Sequence, residues 1–159
     1  MKAIFPGSFD PFTAGHEALV QRSLRLFSEI IVAVGHNSEK RYMFDIGTRV
    51  EIVKSVFRDN PRIKVISYSG LTVDLCRSLD TYFLIRGLRT SSDFEFERAI
   101  GQINKQLEPN IETVFMLIAP EHSAVSSSIV RDILTNSGDA SMFLPANLDL
   151  KSLKTKKNI

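Results

Sequence analysis

What this sequence of 159 residues lacks narrows it first. It has one cysteine, so no disulfide forms within the chain and a reducing compartment is the simplest setting. Cys76, at helical spacing with Leu75 and Leu79, reads as core filler rather than as a reactive thiol. No apolar stretch at the start is long enough for a signal peptide, and no run approaches a membrane span. A cytoplasmic protein without a membrane partner is expected. An excess of one charge is also missing: 20 Lys and Arg stand against 18 Asp and Glu, a net charge of +2. That balance gives no broad electropositive footprint for nucleic acid, while a local phosphate site stays open. There is no G-x-x-x-x-G-K-[ST], which disfavours a P-loop, and no G-x-G-x-x-G after the first strand, which disfavours a dinucleotide site. No His, Cys and carboxylate set has zinc-site spacing. With no internal repeat, low-complexity tract or linker, residues 1–159 are expected to form a single domain.

What is present alternates. Apolar runs at Ala3–Phe5, Ile30–Val34, Ile63–Ser67, Tyr82–Ile85 and Thr113–Ile118 predict strands covered on both faces. Between them lie amphipathic stretches: Val20, Leu24 and Phe27; Ile46, Val50, Val53 and Phe57; Phe96, Ile100, Ile103 and Leu107. Asp45 and Thr72 are the expected caps of the second and third helices, and Ser92 with Glu95 makes a capping box for the fourth. A fifth helix is expected from Ser126 to Leu134, ended by Asn136-Ser137-Gly138, and a last short one near Pro145 and Asn147. Lys151 to Ile159 read as a frayed basic tail. Strands alternating with helices give an α/β fold, a doubly wound five-stranded parallel sheet with right-handed crossovers.

In such sheets ligands bind beyond the carboxyl ends of the strands, so the residues just after each strand carry the information. After the first come Gly7, for a tight turn, and Ser8, with a hydroxyl and an amide. Thr13-Ala14-Gly15-His16 follows, opening a helix whose N-terminus suits an anion. A turn-rich loop with a capping histidine is the plainer alternative. After the second strand, Lys40-Arg41 fits a phosphate clamp, though such a pair alone is ordinary solvated surface. Gly70-Leu71-Thr72 after the third offers backbone to the polar part of a substrate. Arg86-Gly87-Leu88-Arg89 closes the fourth, where an arginine ending a buried strand awaits either an anion or a structural ion pair. After the fifth, Ser126, Ser127 and Ser128 provide hydroxyls and free amides at a helix start. Convergence at one sheet edge argues for a polyphosphate ligand and for phosphoryl or nucleotidyl chemistry.

At these residues the sequence resembles the bacterial phosphopantetheine adenylyltransferases. Gly7-Ser8-Phe9-Asp10-Pro11, Thr13-Ala14-Gly15-His16, Ile85-Arg86-Gly87-Leu88-Arg89, Asp93-Phe94-Glu95 and Ser126-Ser127-Ser128 carry the likeness, in order, from Lys2 to about Pro145. The resemblance implies a Rossmann-like nucleotidyltransferase fold. It also implies reversible transfer of AMP from ATP to 4′-phosphopantetheine, giving dephospho-coenzyme A and pyrophosphate. It implies direct in-line attack without a covalent enzyme intermediate, Mg²⁺ arriving with the nucleotide, and a homohexamer. His16 would stabilise the transition state, with Lys40 and Arg89 as further catalytic residues. Ser8, Lys40, Thr72 and Arg86 would hold the acceptor. Ser8, Phe9, His16, Gly87, Leu88, Arg89 and Glu97 would bind ATP, as would His122, Ser123, Ala124, Val125, Ser126, Ser127 and Ser128.

The sequence departs from the family pattern at Ser8, where Thr is more frequent, and at Ala14, Tyr42, Thr72 and His122. These place the adenine side and the pantetheine contact in question. Two alternatives stay open: a related T-x-G-H transferase acting on nicotinamide mononucleotide or, with CTP, on a phospho-alcohol, and a nucleotide-sensing module without catalysis.

Overall fold

Five strands, β1 (Lys2–Gly7), β2 (Glu29–His36), β3 (Ile63–Ser69), β4 (Phe83–Leu88) and β5 (Glu112–Leu117), alternate with helices. The helices are α1 (Ala14–Ser23), α2 (Ile46–Val56), α3 (Thr72–Ser78), α4 (Ser91–Leu107) and α5 (Ser127–Thr135). In the computed structural model, which describes residues 1–148, the strands form one parallel sheet in the order β3-β2-β1-β4-β5. The α/β, doubly wound architecture expected from the pattern is the one observed.

The strand sequences are apolar on successive residues because each face meets helices. Ala3, Phe5, Val32 and Ile85 pack on one face with Leu19 and Val20 of α1, Ile52 and Val53 of α2 and Val130 of α5. Ile4, Ile31, Ala33 and Leu84 pack on the other with Val73 and Cys76 of α3. Each valine, leucine, isoleucine or phenylalanine among them contributes about 2 kcal/mol by leaving water. Cys76 is fully buried, and burial pushes its thiol up to about 11, as suits a core residue.

The order reverses at β1, and there the sheet opens. β1 pairs with β2 over its whole length but meets β4 only at Ile4 and Leu84. The carboxyl ends of the two central strands therefore border a crevice, the usual ligand position in this topology.

Several local expectations are corrected. α3 is capped by Leu71 without a side-chain bond, because the Thr72 hydroxyl is engaged with the Tyr68 hydroxyl at 3.1 Å. α4 begins two residues earlier than expected, capped by Thr90 rather than Ser92; Thr90 accepts from the Asp93 amide, while Glu95 pairs with Arg98. β4 runs through Leu88, so Arg86-Gly87-Leu88 lies within the strand. The final helical turn falls at Ser141–Phe143 rather than around Pro145 and Asn147, and the tail from Lys151 lies outside the described residues.

The largest correction concerns α4. Of its stripe of Phe96, Ile100, Ile103 and Leu107, only Ile100 turns toward the sheet and lines the cavity there; Phe96, Ile103 and Leu107 are 67%, 56% and 50% exposed. Glu97, Gly101 and Asn104, one side of the same helix, line that cavity too. Gly101 permits that approach, since a Cβ there would sit 3.3 Å from the Thr113 hydroxyl. Hydrophobic spacing gave the helix correctly and, of its apolar stripe, only Ile100 on the inward side.

Candidate active site

The loop after β1 is an aromatic cluster built over a glycine. Phe9 has φ 48°, a left-handed conformation rare outside glycine, and its ring packs 5.1 Å from Phe5 and 5.2 Å from Phe12. The tight turn thus falls on Phe9, not on Gly7 as expected. Gly7 is required by space: a Cβ there would lie 2.7 Å from Phe9 Cζ. Asp10, buried behind this cluster, accepts from the Met43 and Phe44 amides at 2.8 and 2.9 Å, tying the first loop to the segment that follows β2.

Thr13 and His16 form a capping box at the start of α1. Thr13 Oγ1 accepts from the His16 amide, and His16 Nδ1 accepts from the Thr13 amide at 3.0 Å, the place usually taken by Glu or Gln. The three-residue spacing of the motif therefore has a structural cause. Acceptance at Nδ1 puts the imidazole proton on Nε2, the ring nitrogen left to act on the cavity that His16 lines. Burial, then the charges of Arg89 and Arg86, lower the His16 pKa from 6.5 to about 4, so the ring is a neutral donor at neutral pH. Between those values the unfolded chain binds the extra proton. The stability contributed by neutral His16 is therefore complete above pH 6.5 and is lost as pH falls toward 4. Urea denaturation of the native protein should lose about 2 kcal/mol more between pH 7 and pH 4.5 than the His16→Gln variant does. Equal losses would place the imidazole in water.

Two arginines at the crevice are held by carboxylates of α4. Arg86 donates from Nε and Nη2 to Glu97 at 2.7 and 2.5 Å, and from Nη1 to the Pro6 carbonyl at 2.7 Å, spanning the gap between β4 and β1. Arg89 donates from Nε and Nη2 to Asp93 at 3.0 and 3.3 Å. Both guanidiniums keep unused N–H groups after these bonds. At α5, Ser126 caps the helix by accepting from the Ile129 amide, Ser127 donates to the Pro11 carbonyl at 2.8 Å, and Ser128 accepts from Arg131 at 3.1 Å.

Two cavities meet here. One, of about 310 Å³, is lined by Ser8, Phe9, Gly15, His16, Gly87, Arg89 and Ser126 to Ser128, and so joins the N-termini of α1 and α5. The other, of about 290 Å³, is lined by Lys40, Tyr42, Tyr68, Thr72, Asn104 and Thr113. Ser8, Arg86 and Glu97 line both. Every residue expected to hold the acceptor, Ser8, Lys40, Thr72 and Arg86, borders the second cavity. Val125 joins the first, whereas Leu88, His122, Ser123 and Ala124 do not line it. Leu88 is buried, and His122 packs on Gly15, where a Cβ would stand 3.3 Å from the His122 Cβ.

Sequence reasoning gave no role to Asp10, Arg49 or Arg131. Arg131 donates to the Asp10 carbonyl at 2.7 Å as well as to Ser128, and it lines the cavity of about 310 Å³. Arg49 is wholly buried. Its signal was its position, three residues after Ile46 and four before Val53, on the apolar face of α2.

A crevice at a topological switch point, two helix N-termini and paired arginines lie together on a Rossmann-like sheet. Residues 4–133 match the cytidylyltransferase-like family model, so the class is nucleotidyltransferase. The fold agrees with that of a bifunctional NMN adenylyltransferase/ADP ribose pyrophosphatase from Francisella tularensis, at a TM-score of 0.70 and 13% identity. That likeness covers 92% of this chain and 45% of the Francisella protein. Curated relatives are nearer in sequence. A phosphopantetheine adenylyltransferase of Flavobacterium psychrophilum is 52% identical over 94% of this chain and 99% of its own length. Those of Bacteroides thetaiotaomicron and Thermosynechococcus vestitus are 46% and 42% identical over 94% and 100% of this chain, and over 98% and 96% of their own lengths. The chain belongs to the phosphopantetheine adenylyltransferase family.

Proposed function

We propose that this chain transfers the adenylyl group of ATP to the phosphate of 4′-phosphopantetheine, forming dephospho-coenzyme A and pyrophosphate. What carries the reading is the pair of cavities that share Ser8, Arg86 and Glu97. A triphosphate laid across the N-termini of α1 and α5 and an acceptor phosphate held by Lys40 and Arg86 would meet at that shared wall. An acceptor phosphate oxygen attacks the α-phosphorus, the bond from that phosphorus to the bridging oxygen breaks, and pyrophosphate leaves with the electron pair. Such a displacement needs positioning and charge stabilisation, not a protein nucleophile. His16 Nε2–H donates to the α-phosphate oxygens as charge grows on them. Arg89 and the α5 amides hold the β and γ phosphates.

Among the described residues no group of three or more His, Cys, Asp or Glu side chains is placed to hold a metal. Asp10, Asp93 and Glu97 already serve the Met43 and Phe44 amides, Arg89 and Arg86. With those carboxylates engaged, a magnesium ion would be carried on the triphosphate and its waters, and the Ser8 and Ser126 to Ser128 hydroxyls would be the groups of this chain available to it. When bound, such an ion neutralises phosphate charge.

We further read the chain as a single domain, working in the cytoplasm as a homohexamer. No described helix is long and apolar enough to cross a membrane, and the lone cysteine is buried. The outward residues Phe96, Ile103, Leu107 and Leu117 give α4 and β5 an apolar face suited to burial against other copies. Sedimentation as a monomer at micromolar concentration would end the oligomer reading. For the activity, purified protein with Mg-ATP and 4′-phosphopantetheine should release pyrophosphate, with nicotinamide mononucleotide as the parallel acceptor. Release with the mononucleotide and none with 4′-phosphopantetheine would overturn the assignment.

A further inference from the structure

Arg49 is a buried cation that the transfer chemistry leaves unexplained. It sits on α2 with no exposed surface, and no described carboxylate is hydrogen-bonded to its guanidinium. Its donors go to backbone carbonyls of three different segments: Nε to Phe44 at 3.1 Å, and Nη1 to Ser8 at 2.5 Å and Gly35 at 2.9 Å. The guanidinium also stacks 4.0 Å from the centre of the Tyr42 ring. Its Nη2 is buried and without a hydrogen-bond partner among the described residues. Burying an arginine to this degree costs free energy, which the charges of Asp10 and Asp45 and the Tyr42 contact only partly offset. A leucine or methionine would fill the same place in the core at no such cost. A planar fork of donors, by contrast, fixes several carbonyls at once.

The three segments are functionally distinct. Ser8 borders both cavities. Gly35 lies one residue before the end of β2, beside Gly7, with a Cβ there 3.6 Å from the Gly7 carbonyl. Tyr42 and Phe44 belong to the loop of residues 37–45, which brings Lys40 to the acceptor cavity. That loop has few other anchors: Tyr42 Oη accepts from the Asn37 amide, and Asp10 accepts from the Met43 and Phe44 amides. On the nucleotide side the elements have their own ties, the capping box of α1, the Arg89–Asp93 pair and the bond from Ser127 to Pro11.

We propose that Arg49 is a positioning residue that locks the Lys40 loop to the Ser8 loop and thereby sets the acceptor phosphate against the nucleotide. This role rests on the adenylyl-transfer reading, so its test includes a readout independent of turnover. In Arg49→Lys the charge remains and the fork is lost. Amide exchange in residues 37–44 should speed up while that of β1, β2 and α1 is unchanged. Acceptor KM should rise about tenfold or more and kcat should fall, with the ATP dissociation constant changing by less than about threefold. Tyr42→Leu removes the ring beneath the guanidinium together with the Oη bond to the Asn37 amide, and leaves the three carbonyl bonds of Arg49. It should move the same quantities in the same direction by less, with Tyr42→Phe, which loses the Oη bond alone, as the control. Equal losses of ATP and acceptor affinity would make Arg49 a general core residue and overturn the proposal. So would native kinetics and exchange in Arg49→Lys, or an unfolded Arg49→Lys beside a Tyr42→Leu with native behaviour. Faster loop exchange in a protein that adenylylates neither acceptor would sustain the lock and defeat the adenylyl-transfer reading instead.

Discussion

Replacing His16 by alanine should lower kcat by about 100- to 1,000-fold, the usual loss when one donor to a developing oxyanion is removed. The expectation follows from the protonation state. With a pKa held at about 4, the ring is neutral at working pH, and Nδ1 is occupied by the Thr13 amide. His16 therefore donates one hydrogen bond from Nε2 and takes no proton from the acceptor, whose phosphate is already an anion. ATP binding should change far less, because that bond strengthens only as charge grows on the α-phosphate. The change also strips the capping box, so part of any effect could be structural. His16→Gln separates the two, since Gln at this helix position can accept from the Thr13 amide and restore the cap. Stability recovered in His16→Gln with kcat still low would assign the imidazole to the chemistry. Loss of ATP affinity as steep as the loss of turnover would make His16 a ground-state ligand.

The second large effect is expected from Arg86→Gln. This arginine faces two demands: it bridges β4 to the Pro6 carbonyl of β1 and is held by Glu97, and it borders both cavities. A charge-assisted contact to phosphate contributes about 2–3 kcal/mol, so acceptor KM should rise about 30- to 150-fold. A moderate fall in melting temperature should accompany it, because the Glu97 carboxylate loses its partner. The same variant carries an electrostatic check. Arg86 is one of the charges that hold His16 protonation down, after burial and Arg89, so its removal should raise the His16 pKa measured by NMR. Unchanged acceptor KM with a lowered melting temperature would reduce Arg86 to a structural clamp across the crevice.

How far these residues were readable from the sequence depended on whether a local pattern carried the information. The five strands were legible because burial on both faces leaves continuous apolar runs. The caps at Asp45 and Ser126 were legible because their side chains meet amides three residues on. Thr72 had the right chemistry for a cap but found a better partner in Tyr68, a contact across a turn that spacing does not encode. Phe96, Ile103 and Leu107 share core spacing with Ile100 yet face outward while Ile100 faces the sheet, because periodicity defines a stripe and not what covers it. Arg49 was passed over because a charged residue in a helix is ordinarily solvated. Its burial depends on three carbonyls contributed by distant segments. The arginine that closes β4 was legible as awaiting an anion or an ion pair, while the identity of the carboxylates, Glu97 for Arg86 and Asp93 for Arg89, required coordinates.

The central claim is that the two cavities bring acceptor and nucleotide together for one direct displacement at phosphorus. It is tested most directly with ATP made chiral at the α-phosphorus by sulfur substitution and 4′-phosphopantetheine as acceptor. A single in-line attack predicts inversion of configuration in the dephospho-coenzyme A product. Net retention would require two displacements through a covalent adenylyl-enzyme, and would contradict the account.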